Sequence, residues 1–149
     1  MKKIFISSDH AGYNLKINII RKLSKKQKIV DLGPSSKNSV DYPDYAHKLS
    51  KKVSNNKGSF GILICGSGMG MSMTANKNKK IRAALCYSVK NTKLSRLHNN
   101  ANIITLGERL INKNKAFNLI RVFLKTKFEG GRHSRRVKKI WLCLVKANI

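Results

Sequence analysis

The run Leu63-Ile64-Cys65-Gly66-Ser67-Gly68-Met69-Gly70-Met71-Ser72 holds the residue types in this chain best suited to chemistry. The apolar residues Phe60 to Ile64 predict a buried strand, and Met71 to Asn76 suit a helix. A strand that breaks into alternating glycines and then enters a helix presents a cup of backbone N–H groups, which binds anions or developing negative charge. Cys65 stands at the lip of that cup, where a helix N-terminus favours a thiolate. The chemistry this permits is proton transfer or nucleophilic attack beside an oxyanion hole. The same residues also suit a plain tight turn around a small buried cysteine, and the stretch alone leaves both readings open. Nucleotide motifs fit less well. Met71 occupies the third glycine position of G-x-G-x-x-G, and no acidic residue lies between Asp44 and Glu108 to hold a ribose hydroxyl. Gly-Lys-Ser/Thr at P-loop spacing does not occur.

The elements that must position this loop follow from the hydrophobic pattern. Residues 2–8 predict a first strand that ends in Asp9-His10-Ala11-Gly12. Polar groups at the carboxyl end of a strand are where α/β sheets place ligands, although Asp9 also suits a helix N-cap. Leu15, Ile19, Ile20 and Leu23 have helical spacing between Tyr13 and Lys26, and residues 28–32 predict a second strand. Gly33 to Asp44 is a loop broken by Pro34 and Pro43. Tyr42 and Tyr45 at its end suit packing of the following helix, which runs to about Asn55, or the covering of a ligand. Ile81 to Cys86 and Ile103 to Leu106 predict two further strands, separated by a helix from Ser88 to His98. His98, beside Asn99 and Asn100, reads as a simple cap or as a general acid suited to neutral pH. Asn112 to Lys127 is another amphipathic helix. After Gly130-Gly131, Arg132 and Arg136 fall one helical turn apart, a spacing that suits clasping a phosphate or a solvated basic face. Val137 to Ile149 is unusually apolar and predicts a terminal helix docked on its own domain or on a partner.

The chain of 149 residues fits one domain with a substantial core. Its 32 basic and 6 acidic residues give a formal charge of +26. That excess suits nucleic-acid binding, but the lysines are spread along the whole chain and no nucleic-acid module accompanies them. Heavy use of Lys, Asn and Ile throughout is the preferred explanation, with attraction of small anionic substrates as its consequence. So few carboxylates argue against a carboxylate-rich metal cage. Cys65, Cys86 and Cys143 form no metal-like pair, and no metal or organic cofactor is expected. An odd number of cysteines, no apolar run of bilayer length and no signal-peptide core predict a reduced, cytoplasmic protein.

Taken in order, Ser8-Asp9-His10-Ala11-Gly12, Asp41-Tyr42-Pro43, Cys65-Gly66-Ser67-Gly68-Met69-Gly70, Ala75-Asn76-Lys77, Ile81-Arg82-Ala83, Leu94-Ser95-Arg96, His98-Asn99-x-Ala101-Asn102, Gly107-x-Arg109 and Gly130-Gly131-Arg132-His133-x-Arg135-Arg136-Val137 cover almost the whole chain. The ordered set resembles the type B ribose-5-phosphate isomerases, in the family shared with galactose-6-phosphate isomerase subunits. The resemblance implies a three-layer α/β/α, Rossmann-like fold with a five-stranded parallel sheet. It also implies a single domain, with a C-terminal helix at about 134–149 lying at the interface of a homodimer or tetramer that shares its sites.

The implied substrate is a phosphorylated sugar, interconverted between aldose and ketose. Cys65 matches the base that moves the proton between C1 and C2. Ser67 and the N–H groups from Gly66, Gly68, Met69 and Gly70 match an anion hole for the enediolate. Asp9 and His98 match the groups that open the furanose ring. His10, Asn99, Arg109, Arg132, His133 and Arg136 match sugar- and phosphate-contacting positions. Met71 stands where another branch carries a glutamate base, so the chain resembles the cysteine branch. Asn100 and the apolar tail from Trp141 depart from the family pattern. The runner-up readings are a six-carbon substrate such as galactose or allose 6-phosphate, and a basic nucleic-acid-binding domain on the same scaffold.

Overall fold

The computed structural model describes residues 2–142, and Cys143 with the rest of the tail lies outside the described residues. Five strands alternate with helices: β1 (Lys3–Ser8), α1 (Tyr13–Leu23), β2 (Lys28–Asp31), α2 (Tyr42–Asn55), β3 (Phe60–Cys65), α3 (Met69–Ala75), β4 (Ala83–Leu85), α4 (Val89–Leu97), β5 (Ile103–Gly107), α5 (Lys113–Lys125) and α6 (Arg132–Lys138). All strand pairings are parallel, in the order β2-β1-β3-β5-β4.

Residues alternate between the two faces of each strand, and both faces are apolar, as a sheet covered on both sides requires. Ile4, Ile6, Ile62, Ile64, Ile104 and Leu106 meet Leu15 and Ile19 of α1 and Leu119, Ile120 and Phe123 of α5. Phe5, Leu63, Cys65 and Ile103 face the other way, onto Leu49 and Val53 of α2 and Met71 and Ala75 of α3. The three-layer expectation is met. Each fully buried Ile, Leu or Phe contributes about 1.5–3 kcal/mol. Lys16 is completely buried, and its Nζ lies 2.8 Å from Asp31 Oδ1 and 2.6 Å from the Pro34 carbonyl, which ties α1 to the end of β2.

Three boundaries differ from the sequence reading for physical reasons. The helix expected from Met71 begins at Met69, because Gly68 takes a left-handed turn (φ 77°) just before it. A Cβ on Gly68 would sit 2.7 Å from a Leu85 methyl and 2.9 Å from the Leu106 carbonyl carbon, so no other residue fits there. Strand β4 is three residues long rather than six. Its flanks are held by side chains instead: the Asn76 amide bonds both N–H and C=O of Ala83, and Asn102 Oδ1 accepts from Arg82 N. Finally, the last described helix is Arg132–Lys138, after which the chain turns. The terminal helix expected from Val137, over about 134–149 in all, is described only as far as Lys138; Ile140, Trp141 and Leu142 are exposed, and residues 143–149 lie outside the described residues. No helix among the described residues is long and apolar enough to cross a membrane.

Candidate active site

Strand order creates the site. From β1 the chain crosses to β2 on one side, and from β2 it returns beyond β1 to β3 on the other. The connections therefore diverge at the carboxyl ends of β1 and β3 and leave a crevice between them, the usual ligand position in such sheets. Asp9 follows β1 and Cys65 ends β3. A cleft of about 410 Å³ opens there, lined by Asp9, Tyr42, Cys65, Gly66, Ser67, Gly70, Arg109 and Leu110.

The loop after β3 is clamped to the loop after β5. Glu108 N donates to the Cys65 carbonyl at 2.9 Å and Arg109 N to the Gly66 carbonyl at 3.0 Å. Those bonds bring the Arg109 guanidinium over Gly66, where a Cβ would lie 2.9 Å from Nη1. Gly70 is likewise needed, because the Tyr42 ring occupies the space a Cβ would take, at 2.6 Å. Gly68 N donates to Cys65 Sγ at 3.1 Å, and Met69 N donates to Ser67 Oγ at 3.3 Å. The thiol is 5 % exposed and stands at the floor of the cleft with backbone donors beside it. A thiol with backbone donors beside it in a cleft can serve as a base next to an oxyanion hole, while its other side packs on the α2–α3 layer.

Asp9 is not the N-cap of α1, a position held by Gly12, yet it supports that turn and also reaches the cleft. Its Oδ1 accepts from Gly12 N at 2.9 Å, which secures the entry to α1, and its side chain lines the cleft. Glu108 completes that entry by accepting from Leu15 N at 3.2 Å. His10 is exposed and does not line the cleft; its Nδ1 accepts from Val40 N at 3.3 Å and steadies the loop before α2. Gly68 lies behind the cleft wall and Met69 points outward, 49 % exposed.

The remaining candidates assemble elsewhere. His98, Asn99, His133 and Arg136, with Val137 and Ile140, line a separate cleft of about 340 Å³. Helix α4 returns from the carboxyl edge of the sheet, so its C-cap His98 sits at the amino edge, just before β5. Between Ile103, paired with Gly61, and Gly107, paired with Cys65, lie about 13 Å of strand. One chain therefore places Cys65 and His98 at opposite ends of its sheet. Arg132 is exposed at the start of α6 and lines neither cleft.

In the second cleft the His98 and His133 rings stack with centroids 4.2 Å apart. Glu129 Oε2 lies 3.7 Å from Nε2 of both. Burial, His98 and the guanidiniums of Arg132 and Arg136 push His133 below the usual imidazole range, against the opposing pull of Glu129. The buried Nε2 of His133 has no hydrogen-bond partner. Glu129 was not anticipated from sequence. The available signal was its place four residues before His133, as one of only six carboxylates. Among the described residues, His98, Glu129 and His133 form the one trio whose ligating atoms all lie within 4.8 Å of one another, close enough to chelate a metal ion. The cationic side chains of Arg132 and Arg136 oppose a cation there.

A family model described as ribose/galactose isomerase matches residues 4–140. The ribose-5-phosphate isomerase B of Escherichia coli is 38 % identical over 141 residues, covering 94 % of this chain and 95 % of that one. The solved ribose 5-phosphate isomerase of Thermotoga maritima superposes with a TM-score of 0.90 at 48 % identity, covering 93 % of this chain and 97 % of that chain. A ribose-5-phosphate isomerase B from Mycoplasma genitalium, solved with bound ribulose-5-phosphate, gives a TM-score of 0.88 at 45 % identity, with 93 % of each chain covered. With its cleft at the switch point and its glycine loop in place, this chain belongs to the ribose/galactose isomerase family.

Proposed function

We propose that the cleft around Cys65 interconverts ribose 5-phosphate and ribulose 5-phosphate through an enediolate. The observation that carries this reading is the buried Cys65 thiol set among backbone donors at the floor of a cleft that also holds Asp9 and Arg109. In the aldose-to-ketose direction the Cys65 thiolate takes the proton from C2. The electron pair left behind forms the C1–C2 double bond, and charge moves onto O1. The N–H groups of the loop from Gly66 to Gly70 and the Ser67 hydroxyl stabilise that oxyanion. A proton passes from O2 to O1, and Cys65 returns its proton to C1, which yields the ketose with no net change in protons. The strongly positive surface draws the phosphorylated substrate inward.

Ring opening requires groups at the furanose, for which Asp9 and His98 are the candidates. Since His98 lies at the far end of its own sheet, we assign it to the site of a second copy of the chain. Asn99, His133 and Arg136 then travel with it, and Arg132 and Arg136 hold the phosphate. Such a homodimer has two identical sites, each built from the Cys65 cleft of one chain and the His98 cleft of the other. His98→Asn should impair the reaction from the cyclic aldose far more than that from ribulose 5-phosphate, which forms no furanose. Single-turnover measurements in both directions test this, and equal losses would move His98 to another step.

Direct assay with ribose 5-phosphate, against allose 6-phosphate and galactose 6-phosphate, decides the substrate. Faster turnover of a six-carbon phosphate would replace the pentose reading. The chemistry as written uses protein groups alone, so activity should survive exhaustive chelation in full. Loss of activity restored only by a divalent ion would instead point to the trio of His98, Glu129 and His133.

A further inference from the structure

A cavity of about 510 Å³ belongs to neither cleft above. It lies at the amino edge of the sheet, beside the start of β3 and the approach to β5, and Lys2, Lys57, Lys80, Arg82 and Arg96 line it. Arg96 is 5 % exposed. Its Nε donates to the Thr126 carbonyl at 3.1 Å and its Nη1 to Asn100 Oδ1 at 3.1 Å and to the Ala101 carbonyl. Arg82 Nε donates to the Asn100 carbonyl at 2.7 Å, so both guanidiniums converge on one residue. All of these acceptors are neutral.

Buried charges are ordinarily paired with opposite ones. All six carboxylates of this chain are engaged elsewhere or face another surface. Asp9 binds Gly12 N, Asp31 binds Lys16, Glu108 binds Leu15 N and Glu129 faces the two histidines. Asp41 and Asp44 line a surface hollow at the start of α2. None lines this cavity. Burial depresses the basicity of both arginines, and Arg96 is further depressed by the charge of Arg82. The two non-glycine residues with left-handed backbone among the described residues, Lys80 (φ 66°) and Asn100 (φ 49°), both line the cavity as well. Asparagine tolerates that conformation, whereas lysine adopts it at a cost, and such strain collects where side chains must be held in place.

We propose that this cavity is a second anion site, distinct from the substrate cleft, which takes a phosphate or diphosphate group from solution as the counterion its arginines lack. The two guanidiniums, on neutral acceptors, and the three lysines line it. The cavity has room for a phosphate with a small organic body, so a free phosphate and a phosphate ester share the same recognition chemistry.

Pyrophosphate is the test probe, titrated by calorimetry into the full chain in phosphate-free buffer, with Arg136→Ala used to weaken the substrate cleft. The wild-type chain should show two classes of site, and Arg136→Ala should keep the cavity class. A Lys57→Gln, Lys80→Asn double variant removes two exposed charges without touching the packed arginines, and asparagine preserves the left-handed turn. It should weaken the cavity class by about tenfold or more while leaving kcat/KM for ribose 5-phosphate unchanged. Arg82→Gln should act in the same direction. Exposed Lys25→Gln, Lys26→Gln serves as the control for net charge and should have no such effect. Loss of all pyrophosphate binding in Arg136→Ala overturns the proposal, as does equal weakening by the control. Repeating the titration with ribose 5-phosphate on Cys65→Ala separates a free phosphate from an ester: a second ester-binding class sensitive to Lys57 and Lys80 assigns the site to esters, and its absence to inorganic anions.

Discussion

Cys65→Ala should lower kcat by about 10²–10⁴, the usual contribution of a positioned proton-transfer group, and by more if no water takes its place. The loss should fall on kcat, with KM and the folding transition little changed. In the proposed mechanism the thiol acts on the reacting carbon only, while the sugar and phosphate contacts come from other groups. Alanine also fits the space, since the side chain stands at the floor of an open cleft with one donor, Gly68 N, beside it. Single-turnover measurement with substrate exchange in deuterated water gives the sharper test. The variant should bind ribose 5-phosphate and fail to exchange the C2 hydrogen. Exchange at the wild-type rate would sink the assignment of Cys65 as the base.

Arg136→Ala and Cys65→Ala chains, each impaired alone, should regain activity when mixed. Each charged hydrogen bond to the phosphate is worth roughly 1.5–3 kcal/mol, so Arg136→Ala alone should raise KM for ribose 5-phosphate by about 10- to 100-fold. It should matter little for free ribose, which lacks the phosphate. In a mixed dimer one site receives both damaged halves and the other receives both intact ones. Recovery should therefore approach half the wild-type activity of each mixed dimer. This expectation comes from the sheet: Cys65 ends β3 at one edge, and the helix bearing His98 ends at the opposite edge, beside the cleft that holds Arg136. A single small substrate cannot span both in one chain. If tagged chains exchange partners yet no activity returns, Cys65 and Arg136 serve one site from one chain, and the shared-site reading fails.

The sequence alone determined the succession of elements and the place of the glycine loop that lines the cleft. Continuous apolar runs and stripes at period 3.6 place each strand and helix through α5 within a few residues, because burial on both faces of a parallel sheet makes its strands apolar throughout. The glycines from Gly66 to Gly70 marked the donor cup, since only glycine allows Gly68 its left-handed turn and gives the Arg109 and Tyr42 side chains the room they take. At the end of the chain, hydrophobicity from Val137 onward suggested a docked helix; the described helix ends at Lys138, Ile140 to Leu142 are exposed, and residues 143–149 lie outside the described residues.

What only the tertiary structure decided was which candidates meet. Local patterns carry no information on distance between residues far apart in sequence. Asp9, Tyr42, Cys65 and Arg109 converge because parallel strands align their carboxyl ends at the switch point. His98, His133 and Arg136 part from them because a helix that returns antiparallel to its strand must end at the other edge. Glu129 between two stacked histidines, and two arginines sharing a cavity without a carboxylate, are likewise products of packing. In one dimension they are an acid beside two glycines and two basic residues fourteen positions apart. Only the fold brings them within reach of their neighbours.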